Sequence, residues 1–515
     1  MSPDGTRSIA SAARRHPVAP RLVAFWLLAA AFTVTMLGTT LPTPLYVLYQ
    51  QKLGFAPLMI TVVFAVYAAG VLAALLLFGR SSDQLGRRRV LLAGLVCAAL
   101  SAVVFLLAQG LPLLFVGRVL SGLAAGTFTG TATATLVDLA GEGRGQRATL
   151  VAAASNMAGL GLGPLVAGLL AQFAPLPLHL PFLVDLGLIL LAVLAVWAMP
   201  ETVEVPAHPR LRISRPDLPP QVRPLFVRAA TAGFAGFVVL GVFTAVVPSF
   251  LLGVLHESSH ALSGAVVFTL FAASALGQIA LARRLGRWAL AAGCGALIIG
   301  MGLLAGGLAA TSLPLVVASA VIAGVGQGLT LRAGLEAVNS RAPAERRAGV
   351  ASSFFMVLYT GISLPVIGEG IAASLVGLRP AGIAFSIAVA VVAAIALAML
   401  VPGRTRGGGP RSAGEDVDAD PHHGIGDAWL GLAATLQRQL RDLDPGARVE
   451  TTLCPSGLLQ LEVRTAPGPR ASARALARHY EERARSTCER YGGNVSVSRA
   501  GPVVTIRCGR CSTEA

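Results

Sequence analysis

The sequence predicts an all-α membrane protein: twelve transmembrane helices in two pseudo-symmetric six-helix bundles, followed by a small cytoplasmic α+β domain. Three observations predict it. Hydrophobic residues make up 54% of the 515 and charged residues only 13%, about half the charged share of an ordinary soluble protein. The apolar residues gather into charge-free runs at 148–184, 229–255, 258–282, 288–331 and 348–368. Twenty helical residues rise about 30 Å, the thickness of a bilayer's hydrocarbon core, so each run holds one or two crossings. The basic residues, in turn, keep to alternate connections between the runs.

In chain order, a cytoplasmic tail (1–20) precedes a first span at 22–45. Arg7, Arg14 and Arg15 ahead of it give the polarity of a signal peptide. The apolar run is too long for one and has no small-residue cleavage site, so an uncleaved helix is expected. Spans at 57–79, 90–109, 112–136, 147–171 and 180–199 complete a first bundle (21–200). A polar linker (201–227) leads to a second bundle (228–401), with spans at 228–252, 262–282, 288–310, 313–334, 349–374 and 380–401.

The even-numbered connections carry Arg80, Arg87, Arg88, Arg89, Arg144, Arg147, Arg210, Arg212, Arg215, Arg223, Arg283, Arg284, Arg287, Arg341, Arg346 and Arg347, whereas the odd-numbered ones carry only Lys52 and Arg379. This positive-inside bias puts both termini in the cytoplasm. Residues 1–401 hold 25 basic and 12 acidic side chains against 16 and 13 in 402–515, so the net +16 is concentrated in the membrane part. It reflects topology, and no nucleic-acid partner is expected. Of the six cysteines, Cys97 and Cys294 fall inside spans and four lie in the tail, where a reducing cytosol argues against a disulfide framework.

The chain repeats weakly at a spacing near 200. Leu85-Gly86-Arg87 returns as Leu285-Gly286-Arg287, Arg147-Ala148 as Arg347-Ala348, and Gly161 and Gly168 as Gly361 and Gly368. With one polar linker between them, the halves read as duplicated bundles that hold a substrate near the bilayer midplane.

Beyond residue 401, a Gly-, Asp-, Arg- and His-rich stretch (402–424) reads as a flexible linker. Residues 425–515 then alternate as a small domain: a helix carrying Trp429, Leu432, Leu436 and Leu440, strands at 448–453 and 458–465, a second helix near 470–491, and strands at 494–498 and 503–508. Cys454, Cys488, Cys508 and Cys511 lack the two close pairs of a structural zinc site, so free thiols and no metal are expected.

The connection at 79–89 reads Gly-Arg-Ser-Ser-Asp-Gln-Leu-Gly-Arg-Arg-Arg. Its pattern of Gly79, Asp83, Gly86, Arg87 and Arg88 resembles the signature loop between the second and third helices of major facilitator superfamily transporters. Asp83 is suited to cap helix ends of the opposite bundle, where the macrodipole attracts a carboxylate. Gly86 permits the turn, and Arg87 and Arg88 are placed to pair with acids at other cytoplasmic helix ends, Asp138 being the candidate. Such contacts would hold the bundles together on the inside as a conformational switch. Gln84 departs from the family, which usually has a basic residue there.

Two further motifs carry the resemblance over residues 21–401. Arg118-x-x-x-Gly122-x-x-x-Gly126 in the fourth span resembles the family's intramembrane arginine motif, associated with proton coupling. The alternative for Arg118 is snorkelling to the outer surface. In the fifth span, Gly159-x-x-x-Gly163-Pro164-x-x-Ala167-Gly168 resembles the motif that marks the family's antiporters, with Ala167 replacing a glycine. Physically it is a close-packed hinge: small residues every fourth position and a proline that removes a backbone donor. Asp185 and Glu369 are intramembrane carboxyls, costly to keep ionised, and join Arg118 as proton-coupling candidates, with water at the outer surface as their alternative explanation. Glu336 lies toward the cytoplasmic end of the tenth span, and Thr35, Thr39, Thr40, Thr43 and Thr244 fit cavity lining or helix packing equally.

The resemblance implies alternating access driven by the proton gradient with no cofactor. No Gly-x-x-x-x-Gly-Lys-Ser/Thr loop for an ATPase and no catalytic triad is present in the sequence. The expected function is efflux of small amphipathic or drug-like molecules by a monomer in a bacterial cytoplasmic membrane. Proton-driven import of a sugar, amine or organic acid is the alternative, and a membrane sensor signalling through the tail is a distant third.

Overall fold

In a computed structural model of the protein, residues 19–78, 82–141, 143–203, 218–343 and 346–400 are described, together with four strands between 448 and 508. The chain divides into two units, Met1–Thr405 and Arg406–Ala515.

The first half of the larger unit comprises α1 (Arg21–Thr40), α2 (Tyr46–Leu53), α3 (Leu58–Phe78), α4 (Ser82–Leu85), α5 (Arg87–Leu106), α6 (Leu111–Ala140), α7 (Gly145–Phe173) and α8 (Leu180–Trp197). The second half comprises α9 (Arg223–Gly241), α10 (Val247–Gly253), α11 (His260–Leu276), α12 (Ala282–Leu285), α13 (Ala289–Ala309), α14 (Leu313–Arg341), α15 (Arg347–Val376) and α16 (Leu378–Leu400). Among the described residues, eleven continuous runs are long and apolar enough to cross a membrane. One of them, His260–Ala309, has 50 residues, about 75 Å of helix and too much for one crossing. It breaks at Gly286, whose φ of 49° lies in the left-handed region open to glycine. Counted as two, it brings the crossings to twelve. Gly86, the same position of the repeat, starts α5 at φ 94°.

The expected ends shift where polar residues continue a helix beyond the apolar core. The fourth span runs on to Ala140 and the tenth to Arg341. The first span is interrupted instead: Pro42 follows α1, and a 3₁₀ turn (Thr43–Leu45) precedes α2. Proline cannot supply the N–H that a continuing helix requires.

Packing repeats between the halves. α3, α5 and α1 pack on α6 as α11, α13 and α9 pack on α14, and α5 meets α8 as α13 meets α16. The main contacts between halves are α7 with α11 and α15 with α3, equivalent pairs with the halves exchanged. Glycine makes these approaches close. A Cβ on Gly122 would collide with the Tyr67 carbonyl and one on Gly70 with the Val119 carbonyl, so α3 and α6 meet backbone to backbone. Lipid tails are as apolar as the side chains, so such contact, rather than water exclusion, holds membrane helices together.

The second unit contains a four-stranded antiparallel sheet of order β1-β2-β4-β3, with β1 (Arg448–Leu453), β2 (Leu459–Arg464), β3 (Val495–Ala500) and β4 (Val503–Cys508). The two helices expected beside it, and Cys454, Cys488 and Cys511, lie outside the described residues.

Candidate functional site

A cavity of about 360 Å³ lies between the halves. Its walls come from α1, α3, α6 and α7 on one side and from α9, α11, α14, α15 and the turns following α9 and α11 on the other. It runs from Arg118 and Gln327, both buried, to Thr149 and Glu336, both exposed. It therefore opens beside the α6–α7 and α14–α15 connections.

Toward the opposite end the halves touch. A Cβ on Gly264 of α11 would strike the Pro164 carbonyl, and one on Gly168 of α7 the His260 carbonyl. The His260 N–H donates to Gln172 Oε1 at 2.9 Å. On the other flank, Gly370 of α15 packs on Thr61 of α3.

Arg118, 1% exposed, faces this cavity. Its Nη1 donates to the Thr39 carbonyl at 2.6 Å. The guanidinium carbon lies 5.1 Å from the Tyr46 ring centre and 5.5 Å from those of Phe64 and Tyr67, distances at which a cation is attracted to an aromatic face. Nε and Nη2 have no hydrogen-bond partner among the described residues. The side chain is buried among helices and does not snorkel to a surface.

Gly159 and Gly163 of α7 abut α1, where a Cβ would meet the carbonyls of Thr33 and Leu37. Pro164, inside α7, has no N–H for the Leu160 carbonyl four residues earlier. The Thr40 hydroxyl fills that place, donating to Leu160 O at 2.8 Å. The proline segment is thus held by α1 of its own half and by Gly264 of the other.

Asp185 of α8 is 3% exposed and lies against Gly38, where a Cβ would sit 2.7 Å from its Oδ2. Its Oδ1 has no partner among the described residues. Glu369 of α15 is 1% exposed, and neither of its oxygens has such a partner. Both carboxyls are buried rather than open to outer water, and neither lines the cavity. Asp185 and Arg118 nevertheless act on adjacent residues of α1, Gly38 and Thr39.

In the signature connection, Gly79 and the side chain of Asp83 lie outside the described residues. Arg87 Nε and Asp138 Oδ2 are 2.8 Å apart. This pair joins α5 to α6 and so lies within one half, in contrast to the expected tie between bundles. The backbone N–H groups of Arg87 and Arg88 donate to Glu201 Oε1 and Oε2 at 2.8 and 3.2 Å. A carboxylate there satisfies N–H groups that the first helical turn leaves open. Glu201 was not singled out in the sequence, because a cap supplied from more than a hundred residues away leaves no local pattern.

A polar cluster that no sequence motif marks lies in the second half. Ser274 Oγ donates to Gln327 Oε1 at 2.5 Å and accepts from Gln278 Nε2 at 3.1 Å. Gln278 lies in a π-helical turn (Gly277–Leu281), and Thr244 lies in another (Val242–Val246). Such turns are frequent at functional sites, yet they follow from no residue spacing. The available signal was three uncharged polar residues inside otherwise apolar spans.

Two repeated halves of membrane-crossing helices around a shared cavity make the architecture of a membrane transporter. The profile of the Major Facilitator Superfamily matches residues 28–364, and the chain belongs to that family: it is a transporter and not an enzyme. A class D tetracycline resistance protein of Salmonella ordonez is 35% identical over 123 residues, 24% of this chain and 30% of that protein. A class G tetracycline resistance protein of Vibrio anguillarum is 36% identical over 107 residues, 21% and 26% of the two chains. The chain thus matches less than a third of these relatives' length.

Among solved structures, an inward-facing bacterial homologue of the human lysosomal transporter Spinster superposes with a TM-score of 0.61 at 15% identity, covering 74% of this chain and 97% of that one. A peptide transporter, POT, gives 0.60 at 16% identity, covering 74% and 94%. At that identity the likeness is one of fold.

Proposed function

We propose that the protein exports small amphipathic molecules from a bacterial cytoplasm in exchange for protons, as a monomer working by alternating access. The observation that carries the reading is the shared cavity with Arg118 buried in its wall. A fixed charge there stabilises different partners as the cavity opens to one side and then the other. With the basic connections on the cytoplasmic face, the cavity opens inward and both termini are cytoplasmic. The glycine and proline face of α7 supports exchange, since it lets the α7–α11 contact part and reform without unravelling either helix.

Asp185 and Glu369 are the proton carriers in this reading, and no cofactor takes part. Asp185 couples to the cavity through α1: its carboxyl bears on Gly38 while Arg118 holds Thr39. Charging a buried carboxyl without a partner is costly, so gain or loss of its proton moves the α1 segment that orients Arg118. Gly79, Asp83, Gly86 and the Arg87–Asp138 pair set the balance between inward and outward states. The tail, read as an α+β domain, lies outside this mechanism.

Reconstituted protein tests the proposal with a panel of amphipathic compounds that includes tetracycline. Export predicts uptake into inverted vesicles with release of protons from them. Movement in the opposite sense would favour the importer. No movement of any compound would favour a sensor.

A further inference from the structure

We propose that the cavity is built for an anion: an amphipathic substrate whose carboxylate docks on the Nε–Nη2 edge of Arg118. This rests on the reading that the cavity between the halves is where the substrate binds.

The guanidinium carries five N–H donors in a rigid plane and keeps its charge under all ordinary conditions. One corner, Nη1, is taken by the Thr39 carbonyl. The rings of Tyr46, Phe64 and Tyr67 lie within 5.5 Å of the guanidinium carbon, but rings accept no conventional hydrogen bonds from the remaining corners. Nε and Nη2, without partners among the described residues, share one edge of the plane. Their parallel N–H bonds match the two oxygens of a carboxylate. Leaving buried donors unpaired is costly, so a ligand that satisfies both gains the full value of the pair.

The cavity supplies no acid of its own at that position. Among the described residues, Glu336 is the only carboxylate that lines it. It is exposed, at the open end, with Oε2 4.0 Å from Arg332 Nε. A cationic ligand would bring a second positive charge toward Arg118 with nothing between them, whereas an anion neutralises it. The remaining walls suit an apolar body, with Phe64, Leu160, Phe237, Leu240 and Phe355 around it. At the same buried end, from the other half, Gln327 is fully buried, and its Nε2 is another donor without a partner among the described residues. A ligand acceptor group at that end completes the match.

The test uses three molecules with one body: biphenyl-4-acetate, biphenyl-4-acetamide and biphenyl-4-methylamine. Binding to the purified, detergent-solubilised protein is read from ligand-dependent melting shifts. The carboxylate is expected to bind at least about tenfold more tightly than either analogue. Arg118→Gln brings the carboxylate down to the level of the amide. Arg118→Lys, which keeps the charge without the planar edge, retains an intermediate preference. If Arg118→Gln does not fold, the Lys variant and the three-ligand series on the unaltered protein still decide the matter. An amine that binds as well as the carboxylate, no binding by any of the three, or a carboxylate preference unchanged in Arg118→Gln would overturn the proposal. Tight carboxylate binding without gradient-driven movement of the same molecule would support the anion site and count against proton-driven export.

Discussion

The guanidinium of Arg118 and the main-chain carbonyl of Thr39 are joined at 2.6 Å, deep in the membrane domain. The contact ties α6 to the end of α1, just before Pro42 breaks that helix. It also makes a fixed charge part of the cavity wall. Arg118→Ala removes the charge and the tie, and it should abolish gradient-driven transport. Arg118→Lys should keep a fraction, since an ammonium restores the charge without the five-donor plane. Initial rates in proteoliposomes at matched protein content check both variants. Equal rates for alanine and the unaltered protein would remove Arg118 from the mechanism.

Thr40 and Pro164 form a compensating pair. Thr40→Val keeps the shape but leaves the Leu160 carbonyl unsatisfied, at a cost of about 1–3 kcal/mol. Pro164→Ala supplies the missing N–H, so in that background Thr40→Val should cost much less. A double-mutant cycle on thermal stability reads the coupling. Additive effects would mean that the hydroxyl does not replace the lost backbone bond.

Gly264 has no room for a side chain while it faces the Pro164 carbonyl. Gly264→Val should therefore disfavour the state in which α7 and α11 touch and populate its opposite. Cysteine labelling of positions near His260 from the outer side should speed up several-fold, while transport slows. Unchanged labelling would show that this contact persists through the cycle.

Asp185→Asn keeps the size of the side chain and removes the proton site. The variant should lose gradient-driven transport yet keep exchange of labelled for unlabelled substrate, a step that needs no net proton movement. Glu369→Gln, measured alongside, assigns the proton: we expect Asp185 to dominate because it bears on α1. Loss of both activities in Asp185→Asn would mark a structural role instead.

Much of the membrane domain was legible because lipid imposes a length and a polarity on each crossing. Arg118 stood out since a buried charge is rare in such a helix, and the glycines around Pro164 because their spacing makes a face. The Ser274–Gln278–Gln327 cluster did not stand out. Ser274 and Gln278 are one helical turn apart, but Gln327 lies 53 residues from Ser274 on another helix, and no local spacing links it to them. Nor was the break at Pro42 expected, because the charge-free run continues past it to Lys52. Glu201 followed the sixth span as one more polar residue, and only the fold brings it onto the first turn of α5.

Truncation near residue 405 falls at the boundary between the two units. The shortened protein should insert and transport at close to the full rate, since every residue of the proposed mechanism precedes the cut. Normal abundance with lost transport would make the tail part of the machinery.

In the proposed cycle, substrate and proton movements are obligatorily exchanged. This exchange is tested most directly by recording both together in proteoliposomes holding purified protein and a transported compound from the panel. Exchange requires proton flux opposite to substrate flux, substrate accumulation driven by an imposed pH gradient, and loss of accumulation when a protonophore dissipates it. Accumulation that persists without the gradient, or substrate movement with no accompanying proton flux, would contradict it.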